Sequence, residues 1–256
     1  MSFLNRVREA FSGRSEPAGP DGYRAYAIGD IHGRSDLLET LLAKIEADIA
    51  ARPQSENFIV FLGDLIDRGP DSAGVVERLR TYRPSHATPV FLSGNHEEIM
   101  LRVLAGERGG LLADWLRFGG AECLQSYGLD PVALRARSEV TALKAIRAAV
   151  PRAHAEFLGT FADTFRFGDY LFVHAGIRPG LGIADQTQSD LRWIREAFLE
   201  DDKDHGFIVV HGHTISSKVE ERPNRIGLDT GAYRTGVLTA LLVEGTERIF
   251  FDTAPD

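Results

Sequence analysis

Five short runs carry the side chains of this sequence that could do chemistry. Gly29-Asp30-Ile31-His32-Gly33, Gly63-Asp64-Leu65-Ile66-Asp67-Arg68-Gly69 and Gly94-Asn95-His96-Glu97 come first. His174-Ala175-Gly176 and His211-Gly212-His213-Thr214 follow. Together they supply carboxylates, imidazoles and an amide oxygen. This is a hard-to-borderline donor set, suited to Mn, Fe, Zn or Mg rather than to a soft metal. One such run is weak evidence for a metal site, and five in order are strong evidence.

The elements around the runs explain how they could meet. Apolar, β-favouring stretches at 23–28, 58–62, 90–92, 170–173 and 207–210 each lead into one of them. After the first three, the pattern turns helical. Strand, tight loop and helix thus recur, and ligands bind at loops beyond the carboxyl ends of strands in an open α/β sheet. The polar side chains are therefore expected at one rim. Asp30 and His32, two apart on a loop, can both face one ion.

The first helix is expected over 34–52, with Leu37, Leu38, Leu41, Leu42, Ile45 and Ile49 on its core face, Ser35 as N-cap and Pro53 as its stop. A second covers 71–82, with Val75, Val76 and Leu79 inward. A third runs on through Leu104 until Gly106, Gly109 and Gly110 break it. The next stretch reads as wholly helical, at 111–118, 121–127, 131–149 and 152–160, with Pro131 and Pro151 at helix starts. We read about 106–160 as a helical cap beside the metal rim, with Trp115, Phe118 and Tyr127 as core and His154 at the surface. The chain then returns to strands: a hairpin of 161–167 and 170–173, and strands at 207–210, 225–228, 237–243 and 248–251, with a helix over 190–199 between them.

Composition bounds the rest. The 256 residues, 43% hydrophobic and 26% charged, suit one large domain with a sizeable core. A net charge of −8 argues against general binding to a nucleic-acid backbone. Cys123 is the one cysteine, so no intramolecular disulfide can form, which suits a reducing compartment. No run is long and apolar enough to span a bilayer, and the N-terminus lacks a signal-peptide core, so the cytoplasm is expected. Phe3, Leu4, Val7 and Phe11 have rough helical spacing, and 12–22 is rich in Gly, Pro and Ser. Residues 1–22 are read as a tail and linker, frayed rather than docking, ahead of a domain over 23–256.

The ordered set GD-x-HG, GD-xx-DRG, GNHE, HAG and GHT, spread over about 23–252, resembles the phosphoprotein phosphatases among the calcineurin-like metallophosphoesterases, bacteriophage and bacterial serine/threonine phosphatases above all. The resemblance implies an α/β fold, a β-sandwich of two mixed sheets flanked by helices, with the helical cap inserted. It implies two divalent ions, Mn²⁺ first with Fe, Zn and Ni as alternatives, held by Asp30, His32, Asp64, Asn95, His174 and His213, with Asp64 between them. Ions about 3.5–4 Å apart would share a hydroxide that attacks phosphorus directly. By the same resemblance His96 is the general acid, Asp67 orients it, and Arg68 grips phosphate in a bidentate fork. Arg68, Arg195 and Asn95 form the substrate-binding set. His211, two residues before His213, is read as structural, and the run from Asp229 to Ala232 as support behind the site.

Three functions remain open on the sequence. The main reading is a serine/threonine phosphatase acting on a phosphoprotein or small phosphorylated substrate; Asp67 and Glu97 favour it. The alternative is a symmetrical dinucleoside tetraphosphate hydrolase, or another nucleotide phosphohydrolase, with the same metal centre. A metal-free binding module is the third, and it would require lost ligands, of which there are none. One departure stands out. Many family members have arginine just before Gly-Asn-His-Glu, where this chain has Ser93, which predicts open space and a weaker hold on small monoesters.

Overall fold

The computed structural model describes residues 16–255. The tail positions Phe3, Leu4, Val7 and Phe11 lie outside them. Among the described residues two five-stranded sheets form. The first has the order β10-β9-β1-β2-β3, built from β1 (Tyr23–Ile28), β2 (Glu56–Phe61), β3 (Thr88–Phe91), β9 (Thr239–Glu244) and β10 (Glu247–Asp252). The second has the order β4-β5-β6-β8-β7, from β4 (Thr164–Phe167), β5 (Tyr170–Val173), β6 (Ile208–His211), β7 (Glu220–Glu221) and β8 (Arg225–Gly227). Each is mixed: β1, β2 and β3 run parallel, as do β5, β6 and β8, and antiparallel strands close both edges of the second sheet and the β10 edge of the first.

The layers follow from which face each residue presents. Alternate residues of β1, Ala25 and Ala27, meet Val60, Phe172, Val210, Ile226 and Leu241 between the sheets. The other face, Tyr26 and Ile28, packs with the buried stripe Leu37, Leu38, Leu41, Leu42 and Ile45 of α1 (Ser35–Ala51). Each fully buried leucine or isoleucine there contributes roughly 1.5–3 kcal/mol. Leu171, Val173 and Val209 cover the far face of the second sheet with Leu191, Ile194 and Phe198. Helix, sheet, sheet and helix are thus stacked, as the resemblance implied.

The stretch read as a cap is helical, in shorter pieces than expected. α2 (Ser72–Arg80) and α3 (Asn95–Ala105) lead to α4 (Leu111–Arg117), α5 (Gly120–Ser126), α6 (Pro131–Arg135), α7 (Glu139–Ala149) and α8 (Arg152–Leu158). The helix expected over 131–149 divides because Ser138 accepts the N–H of Thr141 and starts a new one. Arg34 rather than Ser35 precedes α1, with no side-chain cap. The helix expected over 190–199 also divides, into α9 (Gln188–Trp193) and α10 (Glu196–Leu199), with Ile194 extended at the break.

Smaller corrections concern single residues, the first of them Phe118, read as core but 62% exposed. His154 is buried, 6% exposed, because Tyr127 and Glu77 supply partners at 2.9 and 3.0 Å for its two ring nitrogens. Part of the expected linker is tied down: the Tyr170 hydroxyl donates to Pro17 O, and the Gly19 N–H to Gly245 O. No described helix is long and apolar enough to cross a membrane.

Candidate metal centre and active site

Six strand ends from the two sheets converge at one rim. Asp30 and His32 follow β1; Asp64, Asp67 and Arg68 follow β2; Asn95, His96 and Glu97 open α3 after β3. His174 follows β5, His213 follows β6, and Asp229 lies just past β8. The backbone there is strained. The non-glycine residues with positive φ among those described are His32, Asp64, Asp67, Arg68 and His213, all in these loops. Each such residue costs roughly 1–3 kcal/mol, and strain of this kind gathers at functional sites.

Asp64 is the hub. One oxygen, Oδ1, lies 3.4 Å from His174 Nε2, while Oδ2 lies 3.6 Å from His32 Nε2 and 3.8 Å from His96 Nε2. Two groups of converging donor atoms result, His32-Asp64-His96 and Asp64-His174-His213, with Asp64 in both. Gly94 permits this close fit, since a Cβ there would stand 2.1 Å from Asp64 Oδ1.

The donor chemistry fits cations. His32 Nδ1 donates to Ile66 O at 2.7 Å and His174 Nδ1 to Leu62 O at 2.9 Å, so each Nε2 turns a lone pair inward. His174 Nε2 then faces Asn95 Oδ1 at 3.0 Å and His213 Nδ1 at 3.2 Å. Several acceptors aimed at one point, with at most the single ring proton of His213 to share, suit a positive ion. Burial pushes the pKa values of His32, His174 and His213 down. Burial also opposes charge on Asp64, but His174, His96, His32 and His213 around it hold its carboxyl well below the usual range.

Asp30 sits beside this arrangement rather than in either donor group. Its carboxylate accepts the His213 N–H at 3.0 and 3.2 Å. Burial, then the charges of Asp229 and Asp64, push its pKa up. Asp229 accepts the Gly231 N–H at 2.9 Å, which is the turn role expected of it. His211 Nδ1 donates within its own turn, to Gly212 O at 3.0 Å, and the ring stacks edge-on against Phe198, away from both donor groups.

His96 and Asp67 meet as the resemblance implied. Their Nδ1 and Oδ2 atoms are 2.5 Å apart. Burial opposes the charged imidazole, while Asp64 and Asp67 more than offset it and raise the His96 pKa. Arg68 Nη1 lies 2.8 Å from His32 Nε2, and its guanidinium stands 5.1 Å over the Tyr233 ring. Arg195 is not on a helix. It occupies the break between α9 and α10, exposed, with Nη1 3.3 Å from Thr214 Oγ1. Its charge helps to depress His174 and His213. Ser93 is 4% exposed and its N–H is bonded to Ala162 O.

Three contributors were not legible as such. Glu97 is fully buried and accepts the N–H groups of Asp64, Leu65 and Gly94 at 2.9, 2.8 and 2.9 Å, tying the second and third loops together. Trp115 Nε1 donates to Asp67 Oδ2 at 2.7 Å. Tyr233 lies edge-on to His32, with ring centroids 5.4 Å apart. Only the position of Glu97 after Gly-Asn-His carried a signal.

Known proteins are similar to this chain. A 95-residue stretch is 40% identical to serine/threonine-protein phosphatase 1 of Salmonella typhimurium, covering 37% of this chain and 38% of that protein. The symmetrical bis(5'-nucleosyl)-tetraphosphatase of Dechloromonas aromatica is 26% identical over 277 aligned positions, 90% of this chain and 96% of that protein. The Acidovorax enzyme of the same name is 33% identical over 154 residues, 60% of this chain and 44% of its own length. This chain thus spans less than half of two of these three relatives. A solved structure described as a candidate diadenosine tetraphosphatase superposes with a TM-score of 0.62 over 95% of this chain and all of that one, at 20% identity, and so shares the fold. The family model for calcineurin-like phosphoesterases matches residues 23–235, and the chain belongs to that family of metal-dependent phosphoesterases.

Proposed function

We propose that this chain hydrolyses symmetrical dinucleoside polyphosphates, with dinucleoside tetraphosphate as the preferred class. The likeness to the Dechloromonas enzyme carries this reading, because it extends over nearly the whole of both proteins. The likeness to a serine/threonine phosphatase is confined to 38% of that relative. The placement of charge supports it. Arg68 stands on the His32 side of Asp64, and Arg195 on the His174–His213 side. Cations on both flanks suit a polyphosphate chain that carries charge on both sides of the bond to be cut.

In this reading Asp30, His32, Asp64, Asn95, His174 and His213 hold two divalent ions, with Mn²⁺ our first choice. Such ions lower the pKa of water and polarise phosphoryl oxygens. The chain's own residues do the rest. Arg68 leaves His32 for a phosphate oxygen, while the Tyr233 face keeps its guanidinium in reach. Arg195 and Asn95 hold the substrate on the other flank. His96, charged through Asp64 and Asp67, gives its Nε2 proton to the departing oxygen.

A second reading, a serine/threonine phosphatase, is favoured by one observation. The short His96–Asp67 contact equips the site to protonate a leaving group. An alkoxide needs that proton more than a nucleotide phosphate does. Turnover of diadenosine tetraphosphate and of a phosphoserine peptide, measured side by side on the Mn²⁺-loaded protein, decides between them. A kcat/KM at least about tenfold higher for the nucleotide is expected. The reverse order would install the second reading.

A further inference from the structure

The cap does more than border the site; it grips the loop that carries Asp67 and Arg68. Both residues have positive φ, 73° and 66°, and need outside contacts to hold that conformation. The cap supplies three. Trp115 Nε1 on α4 donates to Asp67 Oδ2 at 2.7 Å. The Arg68 N–H donates to Gly119 O at 3.0 Å. The Ala73 N–H donates to Ser126 Oγ on α5 at 3.0 Å. Gly119 permits the approach: its φ is +116°, and a Cβ there would lie 2.6 Å from Arg68 Cγ.

The Trp115 bond differs from the other two because it reaches a side chain of the proton-donating pair. Asp67 Oδ2 receives His96 Nδ1 and Trp115 Nε1 together. A carboxylate with one donor can turn about its last torsion. Two converging donors on one oxygen fix its plane, and with it the ring that it orients. Trp115 is 2% exposed and sits 48 positions from Asp67, so the contact is built by the cap's packing and not by the loop's own sequence.

We infer that Trp115 is a positioning residue for leaving-group protonation, fixing the Asp67 carboxylate through its indole N–H so that His96 Nε2 faces the departing oxygen. This rests on the reading of His96 as proton donor. The cap thereby becomes part of the catalytic apparatus. An enzyme whose cap packed poorly would bind substrate and turn it over slowly.

The test uses Trp115→Phe, which keeps a ring in the cavity and removes the donor. On Mn²⁺-loaded protein, kcat for phenyl phosphate, a reluctant leaving group, should fall about tenfold. KM should stay within about twofold, and p-nitrophenyl phosphate should lose less. In an Asp67→Asn background the same substitution should add nothing, since both act through one carboxylate. A second readout needs no turnover. The chain has two tryptophans, so Trp193→Phe assigns the indole N–H resonances in the ¹H–¹⁵N spectrum. Asp67→Asn should shift the Trp115 resonance upfield and leave that of Trp193 in place. If Asp67→Asn leaves kcat on phenyl phosphate intact, the proton-donor reading falls and this inference with it. If Asp67→Asn lowers kcat but Trp115→Phe does not, or the two losses multiply, the inference alone is overturned.

Discussion

His96 Nδ1 lies 2.5 Å from Asp67 Oδ2, in a setting where His96 is 4% and Asp67 0% exposed. A buried carboxylate at that distance orients the ring and favours its charged form. His96→Asn should therefore lower kcat by about 10²–10⁴ on phenyl phosphate and by less on p-nitrophenyl phosphate, with bound metal unchanged. Steady-state kinetics with metal analysis on the same samples checks this. Equal losses on the two substrates would remove His96 from the proton-donor role.

Asp64 offers one oxygen to each donor group, so no neighbouring residue can replace it. Asp64→Asn is expected to release at least one ion and abolish turnover. Chelation of the parent protein should do the same, and Mn²⁺ should restore the parent but not the variant. A variant that retains both its ions and near-normal activity would refute the assignment.

His213 and His211 are two residues apart and face different surroundings. His213 Nδ1 points at Asn95 Oδ1, 2.9 Å away, while His211 stacks on Phe198. His213→Ala should weaken metal binding by more than about 10²-fold, beyond what loss of a supporting residue costs. His211→Ala should weaken it by about tenfold or less. Titration of the apo-proteins with Mn²⁺ gives the ranking, and a reversed order would shift the ligand assignment by two positions.

Glu244 joins the sheet to α1. Its carboxylate meets Arg24 Nε at 2.8 Å and Arg52 Nη1 at 2.9 Å, and Arg24 is 2% exposed. The Arg24 guanidinium beside it, with burial working against, leaves the Glu244 pKa below its ordinary value. A carboxyl depressed on folding stabilises fully above its unfolded pKa of about 4.3, and that stability is lost as pH falls through the folded value. Glu244→Gln should cost about 1–3 kcal/mol at pH 7, allowing for the partial exposure of Glu244. Urea unfolding should show the gap to the parent closing below about pH 4. A gap that persists undiminished in acid would exclude the charge pair as its source.

The order of the five motifs, the strand-loop-helix build and the identity of the ligand candidates were legible in the sequence. Local patterns produce all three: an apolar run sets a strand, a glycine turns the chain, and the polar residue that follows must lie at the strand's end. The leucine stripe of α1 and the helical character of the stretch between the two sets of strands were legible for the same reason, since periodicity is a local property; the pairing of strands into two sheets came from the resemblance. The contacts that make a site of these residues were decided only by the tertiary structure. Glu97 bridges 33 positions to Asp64, His154 finds Glu77 across 77, and Trp115 reaches Asp67 across 48. No local pattern records such a pairing, so His154 reads as a surface residue and Trp115 as plain core. Whether a polar atom can be buried depends on a partner that only packing brings near. The break that sets Arg195 beside Thr214 has the same origin: no residue between Asp190 and Leu199 marks it, yet Ile194 is extended, and the Leu191 carbonyl that an unbroken helix would offer to the Arg195 N–H accepts the Ala175 N–H at 2.9 Å instead.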